Sequence, residues 1–212
     1  MVIPDGLDLL TASLVEPVAA VVRGLRPLAL TPADNVRNFG AGPIGLIAVL
    51  VAKHAGVRQV LVSQTSPARR ELAASFGADA TFDPRAADLA EQIKEHTDGW
   101  GADAIVAAAP IAQVFSDSLH CAAKGGRINF FAGLPSGAGV VPLDANLIHY
   151  NELLVTGSTA NTNEDCREAL ELVASAPELF RPLITHTLPL EQADDAFALA
   201  ASGKALKVIL EP

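Results

Sequence analysis

Apolar residues recur along this chain in two spacings that take turns. Short apolar or β-branched runs, suited to strands buried on both faces, occur at Val36 to Gly40, Gln59 to Ser63, Ala80 to Asp83, Ala102 to Ala108, Gly126 to Gly133 and Leu153 to Ser158. Between them lie stretches with helical spacing. Leu46 to Ala55 is the first. Ser66-Pro67 opens the next, because serine caps a helix and proline suits a first turn whose N–H has no partner anyway; it ends at Gly77. Ala86 to Thr97 is amphipathic, and Ile111 to Ala123 closes on Lys124-Gly125-Gly126, a basic residue and glycines where a helix C-terminus favours them. Strands alternating with helices of about 10–15 residues predict parallel βαβ units with right-handed crossovers. Six strands predict an α/β fold: a doubly wound parallel sheet in the order 3-2-1-4-5-6, with helices on both faces.

Two flanks frame this core. Residues 1–34 hold an expected helix from Thr11 to Leu25 and a link marked by Pro27 and Pro32. Residues 159–212 hold an expected helix from about Asn163 to Ala174, a Pro-broken loop, a second helix from Leu190 to Ser202 and a terminal strand from Leu206 to Leu210. The expected organisation is a leading helix and linker (1–34), a dinucleotide-binding Rossmann domain (35–184) and a helix–strand appendage (185–212).

Phe39-Gly-Ala-Gly-Pro-Ile-Gly45 carries the candidate chemistry. Gly40, Gly42 and Gly45 fit G-x-G-x-x-G, placed between a strand and a helix. That context supplies a tight turn, a main chain with no side chain to block a pyrophosphate, and a helix N-terminus aimed at its charge. The backbone N–H groups of Ile44 and Gly45, beside Pro43, are the expected phosphate donors. A ligand-free glycine turn is the plain alternative. An NAD site wants Asp or Glu near the end of the second strand, to accept from both ribose hydroxyls. Here that position is Gln64, followed by Thr65, Ser66, Arg69 and Arg70. A neutral amide does not repel a 2′-phosphate, hydroxyls donate to one and arginines pair with one. The cofactor expected is therefore NAD or NADP, tilted toward NADP. Arg37 and Asn38 are anomalous: they are polar in a strand that should be buried on both faces.

Composition narrows the classes. Half of the 212 residues are hydrophobic, enough for a sizeable core, and the formal charge is −9 without a basic run, which disfavours nucleic acid and anionic membranes as partners. No apolar stretch is long enough to cross a bilayer, and the first residues have neither the basic start nor the apolar block of a signal peptide. Two cysteines, Cys121 and Cys166, make neither a disulfide framework nor a zinc cluster, so a reducing cytoplasmic setting is expected. His54, His96, His120, His149 and His186 show no metal spacing, and no metal is expected in this chain.

Several stretches together resemble the cofactor half of the medium-chain, zinc-type alcohol and polyol dehydrogenases, of the sorbitol and threonine dehydrogenase kind. They are Val15-Glu16-Pro17 with Gly24-Leu25, the turn from Gly40 to Gly45, Phe76-Gly77-Ala78-Asp79, Gly99 to Asp103, Lys124-Gly125-Gly126-Arg127, Asn146 to Ser158 and Gly203 to Leu210. The resemblance covers nearly the whole chain. It implies hydride transfer between an alcohol and a nicotinamide, a nicotinamide end near Ala108, Ala109, Phe131 and Ser158, and a basic contact to the pyrophosphate from Lys207. It also implies a homodimer paired along Leu153-Leu154-Val155-Thr156. Such enzymes carry their zinc ligands in a GroES-like catalytic domain that this chain lacks, so the chain by itself is expected to be inactive, with no catalytic residues of its own. Glu16 resembles a carboxylate near the zinc of sorbitol-type relatives; a helix-surface carboxylate is the alternative. A stand-alone dinucleotide-binding module, such as a sensor or regulatory subunit, and a zinc-free quinone-reductase-like oxidoreductase are the competing functions.

Overall fold

The computed structural model describes residues 1–86 and 88–212. Two compact units emerge, one from Ala20 to Ala160 and the other from Met1–Ala19 together with Asn161–Pro212.

The first unit is built on six parallel strands: β1 (Asn35–Phe39), β2 (Gln59–Ser63), β3 (Ala80–Phe82), β4 (Ala102–Ala107), β5 (Ala122–Phe130) and β6 (Leu154–Gly157). Their order across the sheet is β3-β2-β1-β4-β5-β6, as the alternation of spacings predicts. In register, Val36 lies beside Val60 and Ala104, and Ile128 beside Ile105 and Val155. Every residue of β1 is buried, as a central strand of a sheet covered on both faces must be. One side of the sheet packs Phe39, Leu61, Ile105 and Ile128 against Leu89, Ile93, Val114, Leu119 and Cys121.

Helices connect the strands. They are α3 (Pro43–His54), α4 (Pro67–Ser75), α5 (Leu89–Glu95), α6 (Ala112–Cys121) and α7 (Ala145–Tyr150). The Ser66 side chain accepts from Arg69 N–H and caps α4, as its sequence anticipates. Asp88 caps α5 by accepting from the Ala90 and Glu91 N–H groups. Residue 87, within the stretch expected to be amphipathic, lies outside the described residues.

The flanks depart from expectation in two places. The expected helix from Thr11 to Leu25 is two helices, α1 (Leu9–Ala12) and α2 (Val15–Leu25). Pro17 explains the break. It has no N–H to give to Ser13, so the helix must restart with Pro17 in a first turn, where no donor is needed. The Pro-broken loop contains a strand, β7 (Ile184–Pro189), which pairs in parallel with β8 (Lys207–Glu211) in a two-stranded sheet. The remaining helices of this unit are α8 (Asn163–Ser175), α9 (Pro177–Phe180) and α10 (Ala193–Ala201); the last begins after a 3-10 turn at Leu190–Gln192. A capping box starts α8: Thr162 and Asp165 hydrogen-bond each other's main chain, at 3.2 and 2.7 Å.

At the N-terminal edge of the six-stranded sheet, Arg127 ties the chain leading into β1 to β5. It donates to the Leu28 carbonyl at 2.6 Å, the Ala29 carbonyl at 3.0 Å and the Asp34 carboxylate at 2.6 Å. Asp34 is 9% exposed and Arg127 is 21% exposed, so the pair is shielded enough for its loss to matter. Arg127→Ala should lower unfolding free energy by about 2 kcal/mol, since it strands a largely buried carboxylate and two carbonyls. Urea denaturation measures this; a change within error would show that the network is merely decorative.

Candidate functional site

The β1–α3 turn sits where strand order reverses, between β1 and β4, the place where doubly wound sheets offer a crevice. Gly40 has φ +106°, a conformation that side chains disfavour, and its N–H donates to the Ser63 carbonyl at 2.8 Å. Gly42 is the N-cap of α3, and Pro43 is its first residue. The first bond within the helix runs from Leu46 N–H to the Gly42 carbonyl at 2.9 Å. The N–H groups of Ile44 and Gly45 precede it and are left for an acceptor outside the helix.

The two inner glycines are required for opposite reasons. A Cβ on Gly45 would overlap the Gly40 carbonyl oxygen and press on the Asn38 amide. A Cβ on Gly42 would meet nothing within 4 Å. Gly45 therefore closes the turn, and Gly42 leaves open space in front of the helix start. This open cradle, with two unspent N–H groups at its back, fits a diphosphate.

Asn38 braces the turn from below. Its Nδ2 donates to the Gly40 carbonyl at 2.7 Å and to the Gly45 carbonyl at 3.2 Å. The sequence shows Asn38 only as an out-of-place polar residue; its position two before the first glycine is the signal that could have revealed its role. Arg69, expected at the ribose, donates from Nη1 to the Ala41 carbonyl at 3.0 Å and so also supports the turn.

A cavity of about 310 Å³ opens beside the turn, lined by Phe39, Gly40, Ser63, Gln64, Arg85, Ile111 and Asp117 among others. At its β2 end no carboxylate is present. The Gln64 side chain folds back, its Oε1 accepting from Ser66 N–H at 3.2 Å and Thr65 Oγ1 at 3.1 Å. Arg70 and Arg85 both pair with Asp83, at 3.2 and 3.0 Å, and the Arg85 hydrogen bonds hold that carboxyl well below the usual carboxylate range.

Across the turn, Ala108 and Ala109 follow β4 and come within 3.8 and 3.6 Å of the place a Gly40 Cβ would occupy. Phe131 and Ser158 meet at the ends of β5 and β6, both against Gly24 of α2. Ser158 donates to Asn129 Oδ1 at 3.2 Å. The structure thus gathers Gly40, Gly42, Pro43, Ile44 and Gly45 in one turn, with Ala108 and Ala109 alongside and Gln64, Ser66 and Arg69 at the β2–α4 connection. Phe131 and Ser158 form a separate pair. Lys207 is the first residue of β8, in the other unit.

The donor set does not suit a metal. Among the described residues no group of three or more His, Cys, Asp or Glu side chains could hold one. Cys121 is buried, which pushes its thiol up to about 11, far from the thiolate a zinc site uses. Glu16 accepts from Asn161 Nδ2 at 3.0 Å. No helix of the described residues is long and apolar enough to cross a membrane.

A family model described as zinc-binding dehydrogenase matches residues 43–175. This chain belongs to that family. The zinc-binding dehydrogenases similar to it bear out the likeness of its motifs. The L-threonine 3-dehydrogenase of Symbiobacterium thermophilum is 33% identical, over 94% of this chain and 57% of its own length. The sorbitol dehydrogenase of Bacillus subtilis is 32% identical, over 99% of this chain and 59% of its own length. A solved zinc-binding dehydrogenase from Sinorhizobium meliloti 1021, bound to NADP, superimposes with a TM-score of 0.90 at 30% identity, covering 99% of this chain and 61% of that one. The chain therefore spans about three-fifths of the length of the relatives it matches. The matched portion is the cofactor-domain half of a zinc-type medium-chain dehydrogenase.

Replacing the two inner glycines should separate their roles. Gly45→Ala should cost about 2 kcal/mol of stability by overpacking, whereas Gly42→Ala should stay within about 0.5 kcal/mol of the parent. Denaturant midpoints measure both; equal losses would contradict the assigned geometry.

Proposed function

We propose that this chain binds NAD or NADP, with NADP favoured, as the cofactor-binding half of a zinc-type alcohol or polyol dehydrogenase. The observation that carries this reading is the cradle at Gly42, empty of side chains and backed by the N–H groups of Ile44 and Gly45. In this reading the diphosphate lies on Gly40, Gly42, Pro43, Ile44 and Gly45. The adenosine occupies the cavity bounded by Gln64 and Ile111, beside Ser66, whose N–H donates to Gln64, and Arg69, which holds the Ala41 carbonyl. The nicotinamide end reaches past Ala108 and Ala109 toward Phe131 and Ser158. The absence of a carboxylate at Gln64 supports NADP; solved relatives hold either nucleotide, NADP in the one from Sinorhizobium and NADH in one from E. coli CFT073. A bound nicotinamide would accept or donate the hydride. The residues of this chain bind and orient it, and the described residues include no group that could hold zinc.

Titration of the chain with NADPH and NADH, followed by nicotinamide fluorescence, tests the reading, with alcohols and polyols then added. Binding without turnover is expected. Gly42→Val should weaken binding at least about tenfold at unchanged stability. Failure of both nucleotides to bind would sink the proposal, and turnover would show that the chemistry resides within these residues.

We further infer a homodimer through β6. This strand pairs only with β5 among the described residues, and Leu154 is 50% exposed, so an apolar strand edge is left open. Sedimentation should give twice the chain's 22.0 kDa. Leu154→Lys should shift it to the single-chain mass; a parent that sediments as one chain at micromolar concentration would contradict this.

A further inference from the structure

Arg37 is the most anomalous side chain in the molecule. It lies in the central strand β1 at 0% exposure, with its guanidinium 4.3 Å over the Phe39 ring. Its Nη2 donates to Ser63 Oγ, a short contact, while its Nε and Nη1 have no partner. Burial pushes the guanidinium down to about 10, still well above neutrality, so the group stays charged. The groups of opposite or potentially opposite charge that face it are Asp117 and Cys121, both from α6. Asp117 accepts instead from Gln113 at 2.7 Å, and Cys121 is held as a neutral thiol. A buried cation with two idle donors is costly, and nothing in the fold requires it: an apolar residue would fill the same place in a strand like this one.

The consequence falls on Ser63. Phe39 and Ser63, the two side chains the guanidinium touches, both line the 310 Å³ cavity, and Arg37 itself lies behind them. A guanidinium has donors only, so Ser63 Oγ must serve it as acceptor. The hydroxyl proton of Ser63 is then left over. Ser63 makes no donated hydrogen bond among the described residues, and it is one of the residues that line the cavity. The neighbouring cations are occupied elsewhere, Arg70 and Arg85 with Asp83, and Arg69 with Ala41.

We propose that Arg37 is a positioning residue that fixes Ser63 as a hydrogen-bond donor into the adenosine cavity and so selects a ribose carrying a 2′-phosphate over one carrying a hydroxyl. The proposal rests on the dinucleotide reading above. A phosphate oxygen accepts the Ser63 proton as a charge-assisted hydrogen bond, and the buried guanidinium behind it lowers the cost of bringing that anion into the cavity. A ribose hydroxyl gains less from either effect, because it carries no charge.

The test compares dissociation constants for NADPH and NADH in the parent chain, Ser63→Ala, Arg37→Met, Arg37→Lys and the Ser63→Ala/Arg37→Met double variant, with thermal melts of each. Ser63→Ala should weaken NADPH about tenfold, the loss of one hydrogen bond to a charged group, and leave NADH within about twofold. Arg37→Met should shift the ratio in the same direction, Arg37→Lys should restore part of it, and the double variant should lose no more than the larger single loss, because the two side chains act as one unit. Ser63→Ala leaves the buried charge in place, so it decides the matter even if Arg37→Met fails to fold. Equal weakening of both nucleotides, or an unchanged ratio in Ser63→Ala, overturns the role of the pair while leaving the dinucleotide site intact. Binding of neither nucleotide by the parent overturns the dinucleotide reading and this proposal with it.

Discussion

The collision that forbids a side chain at Gly45 governs the site. Because the Gly45 Cα lies against the Gly40 carbonyl, strand β1 can turn directly into α3 with its chain folded tightly on itself. That tight turn brings the start of α3 to the C-terminal edge of the sheet, where the partial positive charge of the helix and two unpaired N–H groups face outward. Gly42 then matters for the opposite reason, since any side chain there would fill the space in front of those donors. Local sterics, helix electrostatics and sheet topology all act at residues 40–45, and each would lose its use without the others.

The surroundings reinforce the turn rather than create it. Asn38 holds two of its carbonyls from below, and Arg69 holds the Ala41 carbonyl from the side. Three main-chain acceptors of the turn and the first turn of α3 are thereby engaged by side-chain donors. Arg37 extends the same pattern one strand outward: it occupies the acceptor capacity of Ser63 and leaves its donor to the cavity. Polar residues in a fully buried strand thus leave hydrogen-bond donors beside the cavity, the kind of group a phosphorylated ligand needs.

What the sequence made legible is what periodicity and glycine spacing encode. Six apolar runs separated by helical stretches implied the strand order that the structure shows, and G-x-G-x-x-G between strand and helix located the turn. Ser66-Pro67 announced its helix because cap and first-turn proline are local signals. The break between α1 and α2 was hidden because apolar spacing continues across it, and only the donor lost at Pro17 reveals it. Strand β7 was hidden because Thr185, His186 and Thr187 carry little apolar pattern, and the strand exists through its pairing with β8. The purposes of Arg37 and Asn38 depend on which groups lie opposite them in space, so the sequence could mark them as anomalies and no more.

The most direct test is a crystal structure of the chain grown with NADPH. Density for the diphosphate should cross Gly42, with its oxygens within hydrogen-bond distance of the Ile44 and Gly45 nitrogens. A nucleotide bound elsewhere, or that crevice closed by neighbouring side chains, would contradict the site described for residues 40–45.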